Sequence, residues 1–196
     1  MGRFLPTTFK ENVMKVYVRA STQSDVDHLA TNLRPEDTEE VLASHGDVKE
    51  ALQQGLDESE ECWTIVVKET GEIAGIYGVV GLDNLTGIPW LLTAPPITKV
   101  WLPFLRGSLK WVKETNKKYP ILTNACDADY SVAINWLKFV GFTFIQRHET
   151  WGVGNKPFLE FVRIQDVGPS YNGYVNGGTG CCSIPRRRGS GAVRSI

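Results

Sequence analysis

The sequence predicts an α+β (α/β) domain: a mixed, mostly antiparallel central sheet flanked by helices. Three observations carry that prediction. Apolar runs of strand length recur along the chain, as in VMKVYVRA, CWTIVVK, IAGIYGVVG, IPWLLT and FLEFVRI. Helical spacing interrupts them in only a few places, so the strands on either side of a helix need not be hairpin partners. Turn residues join other runs directly, which sets those neighbours antiparallel.

Taken in order, residues 1–12 read as an extended arm, since Pro6 between threonines and a Phe-Leu pair breaks any helix. Val13 to Ala20 alternates apolar and polar residues and reads as the first strand. Ser21 or Ser24 is then expected to cap an acidic helix carrying Val26, Leu29 and Leu33. A second helical region spans about Pro35 to Gly55, with Val41, Leu42, Val48, Ala51 and Leu52 as its apolar face. Cys62 to Lys68 is a strong strand, Glu69 to Glu72 a hairpin turn, and Ile73 to Gly81 the returning strand. Ile88 to Thr93 is the next, with Pro89 near its start, where a strand tolerates proline. A helix around Leu102 to Tyr119 follows, then a short apolar run ending near Asn124. Ser131 can cap a helix on which Ala133, Ile134, Leu137 and Val140 share a face. Gly141 stands just past its end, where a positive φ is usually needed. Phe142 and Phe144 begin a strand that pairs with Phe158 to Ile164 across the turn Gly152 to Asn155. The order is β, α, α, β, β, β, α, β, α, β, β.

Composition fits one soluble domain of 196 residues, 42% hydrophobic and 22% charged. No apolar run approaches the roughly 18 residues of a membrane span, and no membrane partner is expected. The first residues carry no long apolar stretch or small-residue cleavage site, so no secretory leader is expected. Gly2 does not begin a myristoylation motif, because position 6 is Pro rather than Ser or Thr. Cys62 and Cys126 sit at strand ends as small hydrophobes, and Cys181-Cys182 have no histidine at ligand spacing. These cysteines point to a reducing compartment, and no metal is expected.

Net charge is −1, but its distribution is uneven: from Gly168 to the end there is no acidic residue. Residues 13–166 form the predicted domain, and residues 167–196 form a Gly/Arg-rich tail with no periodicity that could bury a face. Arg186, Arg187, Arg188 and Arg194, with Tyr171 and Tyr174, are the tail's candidate docking residues for an anionic partner.

Several chemistries find little support. His28 and His45 fall on separate acidic helices with no ligand spacing around them. No Gly-x-Ser-x-Gly elbow is present. Trp90, Trp101, Phe104 and Trp111 read mainly as core, with an exposed Trp or two suited to an interface.

The segment LTNACDADYSVAINWLKFVGFTFIQRHETWGVGNKPFLEFVRI resembles the C-terminal half of the GCN5-related N-acetyltransferase (GNAT) fold. There a strand, a helix ending in Gly-Phe and a final hairpin follow in this order. VYVRASTQSDVDHLA resembles the start of the same fold, and the likeness covers Val13 to Gln165. It implies an acetyl-CoA pyrophosphate held at a helix N-terminus by an Arg/Gln-x-x-Gly-x-Gly/Ala loop. The matching stretch, TAPPITKVWLPFLRGSLKW, holds Pro95, Pro96 and Pro103, which remove donors, and only Gly107. If the chain is active, Lys99, Val100, Arg106 and Gly107 are its cofactor-binding candidates, in a cleft near Trp90 and Ile121. The resemblance also implies a Tyr acid four residues before Gly-Phe, but that residue is Leu137, and Tyr130 is a misplaced substitute. Asp83 and His148 have the right type for a general base, yet read better as a turn residue and a solvent-facing strand residue. No catalytic residue is therefore assigned.

LPFLRGSLKWVKETNKKYPIL followed by NWLKFVGFTFIQRHETW also resembles a family of acetyltransferase-like internal virion proteins of T7-like short-tailed bacteriophages. That resemblance implies a non-catalytic structural or accessory virion protein, made in the bacterial host cytoplasm. It would need no cofactor and would be fastened by its terminal segments to other virion proteins in a symmetric assembly. The alternative is an active acetyl-CoA-dependent N-acetyltransferase. A third reading is a nucleic-acid-binding module acting through the arginine tail.

Overall fold

The structure is a computed structural model and describes residues 15–165. The arm at residues 1–12 and the tail with Tyr171, Tyr174, Arg186, Arg187, Arg188 and Arg194 lie outside the described residues.

Among the described residues the strands are β1 (Val16–Ala20), β2 (Ser59–Val67), β3 (Ile73–Gly81), β4 (Thr86–Thr93), β5 (Ile121–Asp127), β6 (Thr143–Trp151) and β7 (Lys156–Ile164). The helices are α1 (Gln23–Leu29), α2 (Pro35–Ser44), α3 (Val48–Glu58), α4 (Trp101–Lys118) and α5 (Ser131–Phe139), with a 3₁₀ segment at Pro95–Val100. One sheet runs in the order β1-β2-β3-β4-β5-β7-β6. Every neighbouring pair is antiparallel except β4 and β5, which are parallel. The expected fold class is the observed one.

Strand alternation assigns the core to two faces. Val26 and Leu29 of α1 and Leu52 of α3 pack with Ile76, Val80, Ile88 and Trp90. Phe104 of α4 packs with Ile65 and Val67 on the other face. Val112, Leu137 and Val140 join α4 and α5 to Val79, Leu122 and Phe161. Trp90 is buried with its ring against Gly55 and Gly78, where a Cβ would come within 2.6 and 3.0 Å of the indole. Only glycine fits beneath that ring.

Local chemistry corrects several expectations. The region Pro35 to Gly55 is two helices. Gly46 takes φ +88 and ends α2, and Asp47 caps α3 by accepting the Glu50 N–H at 2.8 Å. Leu42, expected on the apolar face, is 45% exposed. Thr22, not Ser21 or Ser24, is the N-cap of α1, and Ser21 instead bonds the Thr64 hydroxyl at 2.8 Å. Ser131 opens α5 as its first helical residue, leaving Tyr130 at the cap. Gly141 has φ +93 as its position requires, and an added Cβ there would meet the Arg163 guanidinium at 2.0 Å.

The consequential feature is where β4 and β5 meet. Their ladder consists of Thr86–Ile121 and Gly87–Leu122, after which the strands diverge. β4 continues to Thr93 and β5 to Asp127, opening a wedge through the middle of the sheet.

Candidate functional site

Two diverging strands leave backbone donors and acceptors without a ladder, and such groups need other partners. In β4, the Pro89 carbonyl accepts from the Asn124 side chain of β5 at 3.1 Å, so it faces β5. Backbone direction alternates along a strand paired antiparallel to β3, so the N–H and C=O of Leu91 and Thr93 face the same way. Pro89 thus lacks its donor where no ladder bond is required.

α2 lies across the open end of the wedge and satisfies much of it. The Thr93 carbonyl accepts from the Arg34 N–H at 3.0 Å, while Asp37 accepts from the Thr93 hydroxyl at 2.9 Å and its N–H at 3.4 Å. On the β5 side, the Asp127 N–H donates to the Glu40 carboxyl at 2.8 Å. The Ala125 N–H is taken by its neighbour Asn124 at 2.8 Å. The Leu91 N–H remains directed into the gap.

Asp37 is buried and gathers further donors: Arg34 Nε at 2.8 Å and the Tyr130 hydroxyl at 3.2 Å. Arg34 also donates to the Tyr130 oxygen. One carboxylate thereby ties α2 to the end of β4 and to the head of α5. Burial pushes the Asp37 carboxyl above its ordinary value despite Arg34 and these hydrogen bonds. Burial, with Asp37 beside it, also raises the Tyr130 phenol, so Tyr130 holds its proton and acts as a positioning group.

Glu40 differs in kind. Its carboxyl is pushed up to about 7, first by burial and then by the nearby Asp37 and Asp127 carboxylates, against the single Asp127 N–H that favours the anion. No cation is among the causes. A carboxyl half-protonated near neutral pH at the edge of a cavity can take up a proton from a substrate.

The wedge encloses a cavity of ≈ 130 Å³. Arg34, Asp37, Glu40 and Tyr130 line it toward α2, and Trp101, Phe104 and Trp136 line it toward α4 and α5. Phe104 and Trp136 stack with centroids 5.9 Å apart, and the Trp136 indole N–H donates to the Ser108 hydroxyl at 3.2 Å.

The residues singled out in the sequence distribute unevenly about this cavity. Lys99 lies on the 3₁₀ segment and pairs with Glu72 at 2.9 Å, and Val100 is fully buried. Arg106 and Gly107 sit in the second turn of α4 rather than ahead of it. A Cβ on Gly107 would meet nothing within 4 Å, so no close approach requires that glycine. Leu137 is a core residue, 4% exposed. Asp83 is a turn residue, accepting the Leu85 and Thr86 N–H groups at 2.7 Å each. His148 is half-buried, not solvent-facing, and contacts Glu160 at 3.0 Å. Trp90 is core, while Trp101 is 38% exposed at the start of α4. Of the two residues expected to flank a cleft, Trp90 lines the wedge, whereas Ile121 is paired with Thr86 where the strands are still joined. Arg34, Asp37 and Glu40 are not among the residues the sequence singles out. Their signal was spacing: Asp37, Glu40, Val41 and Ser44 share a helical face, which puts two acids on the side that Val41 buries.

No protein-family model and no curated protein matches the sequence. Solved structures do match in fold. A GNAT-family acetyltransferase from Bacillus anthracis is similar over 77% of this chain and 97% of its own, with a TM-score of 0.59 and 8% identity. A GNAT-family acetyltransferase from Elizabethkingia anophelis, solved with acetyl-CoA bound, matches 76% of this chain and 98% of its own, with a TM-score of 0.52 and 15% identity. The spermidine N-acetyltransferase of Vibrio cholerae, in complex with CoA and spermine, matches 76% and 95%, with a TM-score of 0.55 and 11% identity. The expectation of a non-catalytic phage virion component is overturned by these neighbours, which are acetyltransferases, some holding acetyl-CoA or CoA. None of them links the chain to internal virion proteins. The described domain has the GNAT acetyltransferase fold.

Proposed function

We propose that this protein is an acyl-CoA-dependent acyltransferase that acylates an amine in the wedge between β4 and β5. The observation that carries the reading is Glu40: a carboxyl held near neutrality on the wall of a cavity into which the Leu91 N–H points.

Acyl-CoA, when bound in the wedge, supplies an activated acyl carbonyl. The Leu91 N–H is a preoriented donor for that carbonyl oxygen as negative charge develops on it. The start of α4 offers its positive dipole end to phosphate, with donors removed at Pro95, Pro96 and Pro103. Lys99 adds a cation there, partly balanced by Glu72. Glu40, whose carboxyl titrates near neutral pH, accepts the proton that an ammonium must lose before it attacks. The amide forms as the thioester C–S bond breaks, and the amine's second proton goes to the departing CoA thiolate. Asp37 and Arg34 hold Tyr130 and Thr93 so that α2 keeps Glu40 against β5. The fold's occurrence in proteins solved with acetyl-CoA, and with CoA and spermine, supports the same reading.

Calorimetry with acetyl-CoA and a CoA-release assay over a panel of primary amines test it. We expect micromolar binding. Glu40→Gln should lower kcat/KM about 100-fold, as loss of a general base typically does, while leaving acetyl-CoA affinity unchanged. It should also remove an inflection near pH 7. No binding at millimolar acetyl-CoA, together with no CoA release from any amine, would overturn the proposal.

A further inference from the structure

A second cavity of ≈ 70 Å³ lies between the first turns of α4 and the sheet. Val16, Val18, Ile65, Tyr77 and Pro103 line it, with Gly107 at its edge. It shares Leu91, Phe104, Trp111 and Trp136 with the wedge, so the two spaces are separated by side chains and not by backbone layers. One water needs ~10–15 Å³ of such space, so this cavity has room for several carbon atoms. Its walls are nearly all apolar, so an apolar guest gains by covering them.

Leu91 joins the two spaces. Its N–H faces the wedge, while its side chain packs on the α4 face with Ile65 and Phe104. A carbonyl held by that N–H would have the second cavity within reach of a substituent turned to the α4 face. The indole N–H of Trp111, on the shared wall, is buried without an acceptor among the described residues. It is an open donor for an oxygen of a bound molecule. Tyr77, another lining residue, packs edge-on against Trp111 at 5.0 Å.

We infer that this cavity is an acyl-chain pocket and that the preferred donor carries an acyl group of about four to eight carbons rather than acetyl. The inference rests on the wedge being the acyl-CoA site. Each methylene buried should tighten binding about fourfold, until the pocket is full.

Gly107 supplies the test. A side chain there adds to open space at the pocket's edge, and replacing a mid-helix glycine favours the helix. Binding of acetyl-, butyryl-, hexanoyl- and octanoyl-CoA to the full chain would be measured by calorimetry, for the wild type, Gly107→Ala and Gly107→Leu. The expected result is a rise in affinity with chain length and a hexanoyl-to-acetyl ratio at least tenfold smaller in Gly107→Leu than in Gly107→Ala. Equal affinity for all four thioesters overturns the pocket and leaves the acetyltransferase reading standing. A length dependence that Gly107→Leu does not change also overturns it, since the chain would then lie elsewhere. If no thioester binds at millimolar concentration, both this inference and the reading beneath it fall.

Discussion

Asp25 and Glu40 both turn a carboxyl inward from a helix toward a neighbouring strand, and burial acts on both in the same direction. The outcomes are opposite. Asp25 is met by the Arg19 guanidinium in a two-pronged contact of 2.5 and 2.6 Å, with the Thr22 N–H and the Thr22 and Thr64 hydroxyls around it. Burial still opposes its ionisation, but Arg19 and Thr22 outweigh it and bring the carboxyl down to about 2. Glu40 has one N–H, no guanidinium and two carboxylates nearby, and it rises to about 7. What separates a carboxylate that stabilises a fold from one that can handle protons is whether the company it keeps outweighs its burial, and for Glu40 the burial is greater and the company weaker. Asp37 stands between them: it has a guanidinium, yet deeper burial keeps it raised.

The largest effect that would break this comparison is removal of the cation from Asp25. Arg19→Met leaves a buried carboxylate with hydroxyls and an amide but no counter-charge. Breaking a fully buried pair costs roughly 3–5 kcal/mol. Because Arg19 is itself 39% exposed at its side chain, we expect about 2 kcal/mol. Urea unfolding at pH 7 reads it directly. A loss under about 0.5 kcal/mol would mean that Thr22 and Thr64 suffice, and the contrast with Glu40 would not rest on the cation.

The next effect is a matter of sign against pH. Asp25 titrates below its ordinary value of 3.8, so the stability it contributes is present above about pH 4 and is lost as pH falls toward 2. Glu40 titrates above its ordinary value of 4.5, so the folded state binds a proton that the unfolded state has released. Its contribution is full below pH 4.5 and is lost as pH rises to about 7. In Glu40→Gln that downward slope between pH 5 and 7 should flatten, by about 1–3 kcal/mol over the window. The acid limb below pH 4 should not change. Chemical denaturation at half-unit pH steps separates the two limbs, and an unchanged slope between pH 5 and 7 would place the neutral titration elsewhere.

How much of this was legible beforehand follows from the range of each interaction. Gly141, the β6–β7 hairpin and the β3 strand were readable because periodicity and turn chemistry act over a few residues. The break between α2 and α3 was also local, at His45-Gly46-Asp47, but helical spacing on both sides concealed it. The wedge network was not readable, since Tyr130 meets Asp37 and Arg34 across more than ninety positions. Asp127 meets Glu40 across eighty-seven. Nothing in a run of residues announces which acid a distant strand will supply with an N–H and which it will supply with a guanidinium.

The smallest effect tests whether the wedge is held open by its own chemistry. Among the described residues, the Asn124 side chain bridges from β5 to the β4 backbone, through the Pro89 carbonyl at 3.1 Å, and it also takes the Ala125 N–H at 2.8 Å. It substitutes for ladder bonds beyond Gly87–Leu122, where the β4–β5 pairing ends. Asn124→Ala strands a carbonyl and an amide, which costs about 1–2 kcal/mol if water cannot replace the side chain. If the wedge is wet, water takes over and the loss falls to a few tenths of a kcal/mol. Amide hydrogen exchange at Ala125 distinguishes the two cases. Strong protection in the wild type that Asn124→Ala abolishes means a dry, fixed wedge whose shape is set before any ligand enters. Fast exchange in both means that β4 and β5 part on their own, and that ligand binding must supply the order.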